Sequence, residues 1–256
     1  MIYFVGAGPG AADLITVRGA RLIEEADVII YAGSLVNPAL LEYARKDPAI
    51  YNSATMTLEE VIEVMLTEDS KGKNVVRLHT GDQSIYGAVR EQMDILDENG
   101  RTYDSCPGVS ACFAAASALD VEYTLPGVSQ TLIITRMEGV TPVPKSESIE
   151  KLAQHKSSMV IYLSSGMLDE LSKRLIAGGL SEDAPAAIVY KASWPEEKSF
   201  YCTVATLGET GRKNNITKTA VVLIGDAIAH TAYDRSKLYD PSFSTEYRKA
   251  QNTGDR

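Results

Sequence analysis

The sequence predicts an α/β protein of two lobes, the first built on a mainly parallel sheet and the second on a mixed one. Three observations carry that prediction. Short apolar segments alternate with amphipathic stretches along the first half. Glycine-containing turns follow several of those apolar segments. Beyond residue 120, the segment ending at Tyr190 and the one opening at Phe200 follow too closely for a crossover helix, which predicts an antiparallel pair.

In chain order, residues 2–5 are expected as a strand running into Gly6-Ala7-Gly8-Pro9-Gly10. A helix over 17–25 presents Ala20, Leu22 and Ile23, and Asp27 then introduces the strand 28–31. Pro38 suits the first turn of a helix over 39–45. A short strand near Ile50 precedes a helix over 58–66, for which Thr57 and Glu60 form a capping box. The strand 74–79 ends in Thr80-Gly81-Asp82, and the helix 87–98 stops at Asn99-Gly100. The strand 102–105 leads through Pro107-Gly108-Val109-Ser110 into the alanine-rich helix 111–119. Further strands are expected at 131–135, 159–163, 186–190, 200–204 and 220–224. Pro126-Gly127 punctuates the change of pattern, giving lobes over 1–119 and 120–231 and a polar, irregular tail over 232–256.

The chain has 256 residues and a net charge of −9, with 45% hydrophobic and 23% charged residues. That composition excludes disordered and collagen-like classes. It also disfavours generic binding to nucleic acid or an anionic membrane, whose phosphates meet a field of the wrong sign. No apolar run reaches the roughly 20 residues of a membrane span, and the amino terminus lacks a basic signal-peptide region. Cys106, Cys112 and Cys202 form no CxxC pair, so a reducing, cytoplasmic setting with packing thiols is expected. His79, His155 and His230 have no zinc-like spacing, and no protein-bound metal is expected.

The turn at 6–10 nominally fits a dinucleotide pattern through Gly6, Gly8 and Ala11. Pro9 removes an N–H from the required phosphate cradle, and Tyr31-Ala32-Gly33 lacks the acid that would hold a ribose. A nicotinamide-dependent oxidoreductase is therefore the weaker reading. Asp82 reads either as a ligand carboxylate or as a cap on the following helix, and Ser110 as an N-cap. Glycine turns at three strand ends together predict a small-molecule cleft at the carboxyl edge of the sheet. Arg77, Arg136 and Lys191 are candidates for a basic rim facing an anionic substrate, and Trp194 reads either as a lid or as a packed loop aromatic.

The turns at 6–10, 80–87 and 107–111, in that order, resemble the tetrapyrrole methyltransferases that use S-adenosylmethionine. The resemblance extends through Tyr31-Ala32-Gly33-Ser34-Leu35-Val36, Thr124-Leu125-Pro126, Ser129-Gln130-Thr131, Thr135-Arg136-Met137-Glu138-Gly139 and Thr141-Pro142-Val143-Pro144. Val189-Tyr190-Lys191-Ala192-Ser193-Trp194-Pro195 and Lys237-Leu238-Tyr239-Asp240-Pro241 belong to it as well, so it covers nearly the whole chain. It implies a bilobal, homodimeric enzyme with the cofactor held in the trough between lobes and S-adenosylhomocysteine as product. It further implies methylation of carbon 11 of precorrin-4, or of its cobalt complex, during cobalamin assembly. The alternatives are methylation at another ring position, as in uroporphyrinogen-III, and a non-catalytic tetrapyrrole carrier. By resemblance, Pro9, Thr80, Gly81, Asp82, Ile85, Ser110 and Ala111 of the first lobe and Leu163 and Ala192 of the second line the cofactor site. Some relatives carry an Asp where this chain has Gly33, so no general base is assigned.

Overall fold

The computed structural model describes residues 1–45, 47–229 and 232–251. His230 and the last residues of the tail, 252–256, lie outside the described residues. The chain packs as two units, Met1–Ala118 with Tyr190–Lys198, and Leu119–Val189 with Ser199–Arg256.

The first unit holds strands β1 (Ile2–Gly6), β2 (Val28–Tyr31), β3 (Ala49–Asn52), β4 (Val75–His79) and β5 (Tyr103–Cys106). Helices α1 (Val17–Glu24), α2 (Leu58–Ser70), α3 (Arg90–Glu98) and α4 (Ala111–Leu119) connect or follow them. The strands lie in the order β3-β2-β4-β1-β5, and every pair is parallel. Because side chains alternate across a strand, the sheet buries two separate apolar sets. Val5, Ile29, Val76 and Leu78 pack with Ile23 of α1 on one face. Ile2, Phe4, Val28, Ile30 and Val75 meet Val61, Ile62 and Met65 of α2 and Leu96 of α3 on the other. Each fully buried aliphatic side chain is worth about 1.5–3 kcal/mol, so the helix-covered parallel sheet carries its own core. The chain leaves β1 toward β2 and leaves β4 toward β5, in opposite directions along the sheet. Such a reversal opens a crevice at the carboxyl ends of the strands.

Local chemistry explains where elements start and where they differ from expectation. Thr57 and Glu60 form the expected reciprocal capping box at the head of α2. The stretch after Pro38 is a 3-10 turn, Pro38–Tyr43, in which the Asn37 side chain accepts the Ala39 N–H. The helix expected from residue 87 begins only at Arg90, because Tyr86 and Ala88 sit at φ 55° and 47°, outside helical backbone space.

The second unit contains β6 (Leu132–Arg136), α5 (Ile149–Ala153), β7 (Ser158–Tyr162), α6 (Leu168–Ala177), β8 (Pro185–Tyr190), β9 (Lys198–Thr203), α7 (Leu207–Lys213) and β10 (Ala220–Ile224). Its sheet runs β6-β7-β10-β8-β9. β6 is parallel to β7 while β10 is antiparallel to it, so the sheet is mixed, as the sequence predicts. β7 ends one residue before the predicted boundary because Leu163 turns to φ 52°. The described part of the tail is irregular apart from the 3-10 turn Lys237–Tyr239, and Arg248 donates to the carbonyls of Leu238 and Asp240. Among the described residues no helix is long and apolar enough to cross a membrane.

Candidate functional site

The glycine turns that follow β1, β4 and β5 meet backbone to backbone. Gly8 and Gly81 exchange hydrogen bonds of 3.1 and 2.8 Å, and the Ala7 N–H donates to the His79 carbonyl at 2.7 Å. A Cβ on Gly6 would lie 2.5 Å from the Gly108 nitrogen and 2.8 Å from the Gly81 oxygen. A Cβ on Gly108 would lie 2.2 Å from that same oxygen. Only glycine permits this approach, which forms an edge without side chains.

Asp82 locks the edge together. One carboxylate oxygen accepts the Gly108 N–H at 2.7 Å, and the other accepts the Ser84 N–H and hydroxyl. Asp82 therefore ties the second turn to the third instead of capping a helix. Partial burial works to raise its pKa, but the hydrogen bonds from Ser84 and Gly108 outweigh that and hold it below the ordinary carboxylate value.

The same geometry disposes of the dinucleotide reading. The N–H groups of Ala7 and Gly8 are already bonded within the sheet edge, and Pro9 has none. The turn is followed by a 3-10 turn, Ala12–Leu14, with α1 starting only at Val17, so no helix amino terminus faces it. At the end of β2 the Gly33 N–H is occupied by the Asn52 side chain at 3.0 Å.

The residues named by resemblance take these positions. Pro9 and Gly81 are buried, Ile85 and Asp82 half-buried, and Thr80 exposed with its hydroxyl donating to the Leu35 carbonyl at 3.3 Å. A Cβ on Gly81 would touch Ser110 Cα at 3.5 Å and Ala111 N at 3.7 Å, so the second and third turns bring those residues together. Ser110 is buried. Ala192 is buried within segment 190–198, which packs in the first unit. Leu163, in the second unit, is exposed just beyond β7.

Of the expected basic rim, Arg77 needs correction. Arg77 is buried within β4, its guanidinium donating to Gln92 Oε1 and to the carbonyls of Ile30 and Leu78 at 3.3–3.4 Å. Its register beside Phe4 and Ile30 turns it onto the helix-covered face, and burial lowers its pKa to about 10. It does not face an external ligand. Arg136 donates to the carbonyls of Met137, Thr141 and Pro142, organising the loop after β6. Lys191 pairs with Glu196 at 3.1 Å and lies over the rings of Tyr190 and Trp194.

Sequence reasoning missed several groups that shape the edge. His79, at the end of β4, is buried with Nε2 unpartnered, and burial followed by the charge of Arg77 pushes its pKa down to about 3. A hydrogen bond with the Gly87 backbone opposes that shift and links His79 to the turn over 80–87. Asn37, Ser193 and Trp194 all bond to the 6–10 turn or its neighbour Ala11. A solitary histidine or asparagine in the sequence gives no sign of such a partner; of these residues only Trp194 stands out in the sequence, as a lid or a packed loop aromatic. His155 is exposed, and no group that could hold a metal occurs among the described residues.

These features fit a ligand held by shape rather than by phosphate contacts. The edge offers a glycine floor, the Thr80 hydroxyl, and an ionised carboxylate fixed by its own hydrogen bonds.

The chain matches the Tetrapyrrole (Corrin/Porphyrin) Methylases over residues 1–208, and it belongs to that family. Within the family it is 53% identical over 249 residues to a cobalt-precorrin-4 C(11)-methyltransferase of Methanocaldococcus jannaschii, covering 97% of this chain and 96% of that one. It is 40% identical over 239 residues to a precorrin-4 C(11)-methyltransferase of Mycobacterium tuberculosis, covering 93% and 95%. The X-ray structure of a cobalt precorrin-4 methyltransferase, described as a cobalamin biosynthetic enzyme, superimposes with a TM-score of 0.87 at 45% identity, covering 89% of this chain and 95% of that one.

Two measurements check the site. Gly6→Ala forces a Cβ against the Gly108 backbone and should destabilise the fold by about 1–3 kcal/mol, seen as a lowered melting temperature. Gly139→Ala, with nothing within 4 Å, should leave it unchanged. Nitrogen chemical shifts should show His79 neutral down to about pH 4. Between its usual value near 6.5 and about 3 the unfolded imidazole holds a proton that the folded one lacks, so His79 makes stability fall on acidification through that window. A titration near 6.5 in the folded protein would contradict this environment.

Proposed function

We propose that this protein transfers a methyl group from S-adenosylmethionine to carbon 11 of precorrin-4 or its cobalt complex. The observation that carries the reading is the near full-length similarity to C(11)-methyltransferases, at up to 53% identity in the relatives described. The glycine edge supports it in that its N–H groups at Ala7 and Gly8 are bonded within the sheet edge and Pro9 has none, which disfavours a dinucleotide.

Pro9, Thr80, Gly81, Asp82, Ile85, Ser110, Ala111 and Ala192 are the proposed cofactor contacts in the first unit, with Leu163 the proposed contact of the second. When bound, S-adenosylmethionine supplies an electrophilic methyl group. The protein's share is orientation: attacking carbon and methyl must approach to roughly 3–3.5 Å in line with the leaving sulfur. Asp82, held by Ser84 and Gly108, keeps the second and third turns in fixed relation while a ligand enters. An enamine-like ring carbon is already nucleophilic, so the chemistry asks for no strong base. His79, with a pKa pushed to about 3, remains neutral at physiological pH and adds no charge beneath the edge.

Arg136 and Lys191 are the proposed contacts for the substrate's carboxylates, since the macrocycle is a polyanion. The three free thiols support a reducing, cytoplasmic setting. A homodimer is supported by the exposed apolar side chains of Leu14, Val17 and Phe113 in the first unit, and light scattering at the mass of one chain would remove that part.

The deciding experiment is anaerobic incubation with S-adenosylmethionine and precorrin-4, with and without cobalt, read by mass spectrometry and NMR. One added methyl at carbon 11 is expected. A methyl elsewhere would indicate another ring specificity, and tight binding without transfer would indicate a carrier. In the same assay Arg136→Gln should raise the tetrapyrrole KM several-fold, with Arg136→Lys retaining most of the wild-type value. Equal KM values for the wild type and Arg136→Gln would remove Arg136 from the substrate site.

A further inference from the structure

We propose that Trp194, with Ser193, is a positioning residue for the first glycine turn, so that cofactor affinity depends on a segment about 185 positions away in sequence. This rests on the assignment of Pro9 to the cofactor site. Segment 190–198 leaves β8, crosses into the first unit's packing, and returns to β9.

Backbone bonds to His79 and Gly81 fix the turn over 6–10 only at Ala7 and Gly8. Pro9 supplies no N–H, and the carbonyls of Pro9 and Gly10 and the N–H of Ala11 find their partners in distant side chains. The Trp194 indole N–H donates to the Pro9 carbonyl at 3.1 Å. The Ser193 hydroxyl accepts the Ala11 N–H at 3.0 Å. Asn37 Nδ2 donates to the Gly10 carbonyl at 2.8 Å. The indole also lies directly against Gly10, where a Cβ would fall 2.1 Å from Trp194 Cδ1 and 2.3 Å from Nε1. Gly10 is therefore glycine to admit the ring.

The segment is itself braced for this task. Lys191 and Ser193 hold φ 48° and 66°, conformations that residues with side chains rarely adopt and that need surrounding support. The Trp194 N–H donates to the Lys191 carbonyl at 2.9 Å, and the Ser193 N–H donates to the Glu197 carboxylate at 2.5 Å. Lys191 Nζ pairs with Glu196 at 3.1 Å and sits 5.4 Å from the Trp194 ring centroid. Backbone turn, carboxylate and cation together orient the indole. The contact decides between the two sequence readings of this tryptophan: its ring packs on the turn, and its polar edge holds Pro9 in place.

Trp194 is the chain's only tryptophan, so its fluorescence reports on the surroundings of this one ring, the turn among them. The test uses the intact chain and S-adenosylhomocysteine, measured by calorimetry and by intrinsic fluorescence. Titration of the wild type should change the emission with the calorimetric Kd. Trp194→Phe keeps a ring against Gly10 and loses the N–H donor; Ser193→Ala loses the acceptor for Ala11. Each should weaken S-adenosylhomocysteine and raise the S-adenosylmethionine KM by roughly 2- to 10-fold, the worth of one hydrogen bond. The kcat at saturating cofactor and the tetrapyrrole KM should stay within about twofold, a split that general destabilisation would not produce. Should Trp194→Phe fail to fold, Ser193→Ala carries the same KM and Kd comparison. Unchanged Kd and KM in the variants that fold would overturn the proposal while leaving the methyltransferase reading intact. Failure of the wild type to bind S-adenosylhomocysteine would overturn that reading and this proposal with it.

Discussion

The contact among Gly6, Gly81 and Gly108 is the constraint on which the rest of the site depends. Strands β1, β4 and β5 are neighbours in register, and their chains must turn away from the sheet at nearly the same level. Side chains at Gly6 and Gly108 would collide with backbone atoms at 2.2–2.8 Å, and Gly81 holds a positive φ of 62°. Glycine removes the collision and leaves a floor of peptide groups, two of which pair across Gly8 and Gly81. Asp82 belongs to the same constraint, because its carboxylate reaches Gly108 and makes two turns move as one body.

Charge is handled by placement. A net charge of −9 governs the far field and disfavours phosphate polymers, yet a polyanionic macrocycle needs only a few placed cations. Beneath the glycine edge, burial keeps His79 neutral, and Arg77 is surrounded by carbonyls and an amide instead of carboxylates. The cost of burying that guanidinium is offset by several hydrogen bonds, and it serves the interior of the sheet. A reaction that asks for alignment of methyl and carbon is consistent with a site whose titratable groups are pinned or neutral.

Much of the architecture was legible because it is written in short-range patterns. Short apolar runs marked β1, β2 and β4, the Thr57–Glu60 spacing marked the head of α2, and the close approach of Tyr190 to Phe200 marked β8 and β9 as consecutive strands without a crossover. The glycine turns were legible as well, and the structure brings the three of them together at one edge of the first sheet. The failures share a cause. The helix expected from residue 87 starts late because the hydrogen bond between His79 and Gly87 and the left-handed Tyr86 and Ala88 prolong the turn. Arg77 resembled a surface cation at a strand end, and only the register of β4 between β1 and β2 shows that it points into the α3-covered face.

By itself, then, the sequence determined the class of fold and the family whose motifs recur along the chain. Those properties follow from local periodicity, glycine spacing and motif order, which are properties of neighbouring residues. Tertiary structure decided the rest: that Asp82 clamps a turn instead of capping a helix, that His79 is neutral, and that Trp194 and Asn37 hold the first glycine turn. Each of those outcomes depends on which distant backbone group lies within about 3 Å, a distance that no local pattern encodes.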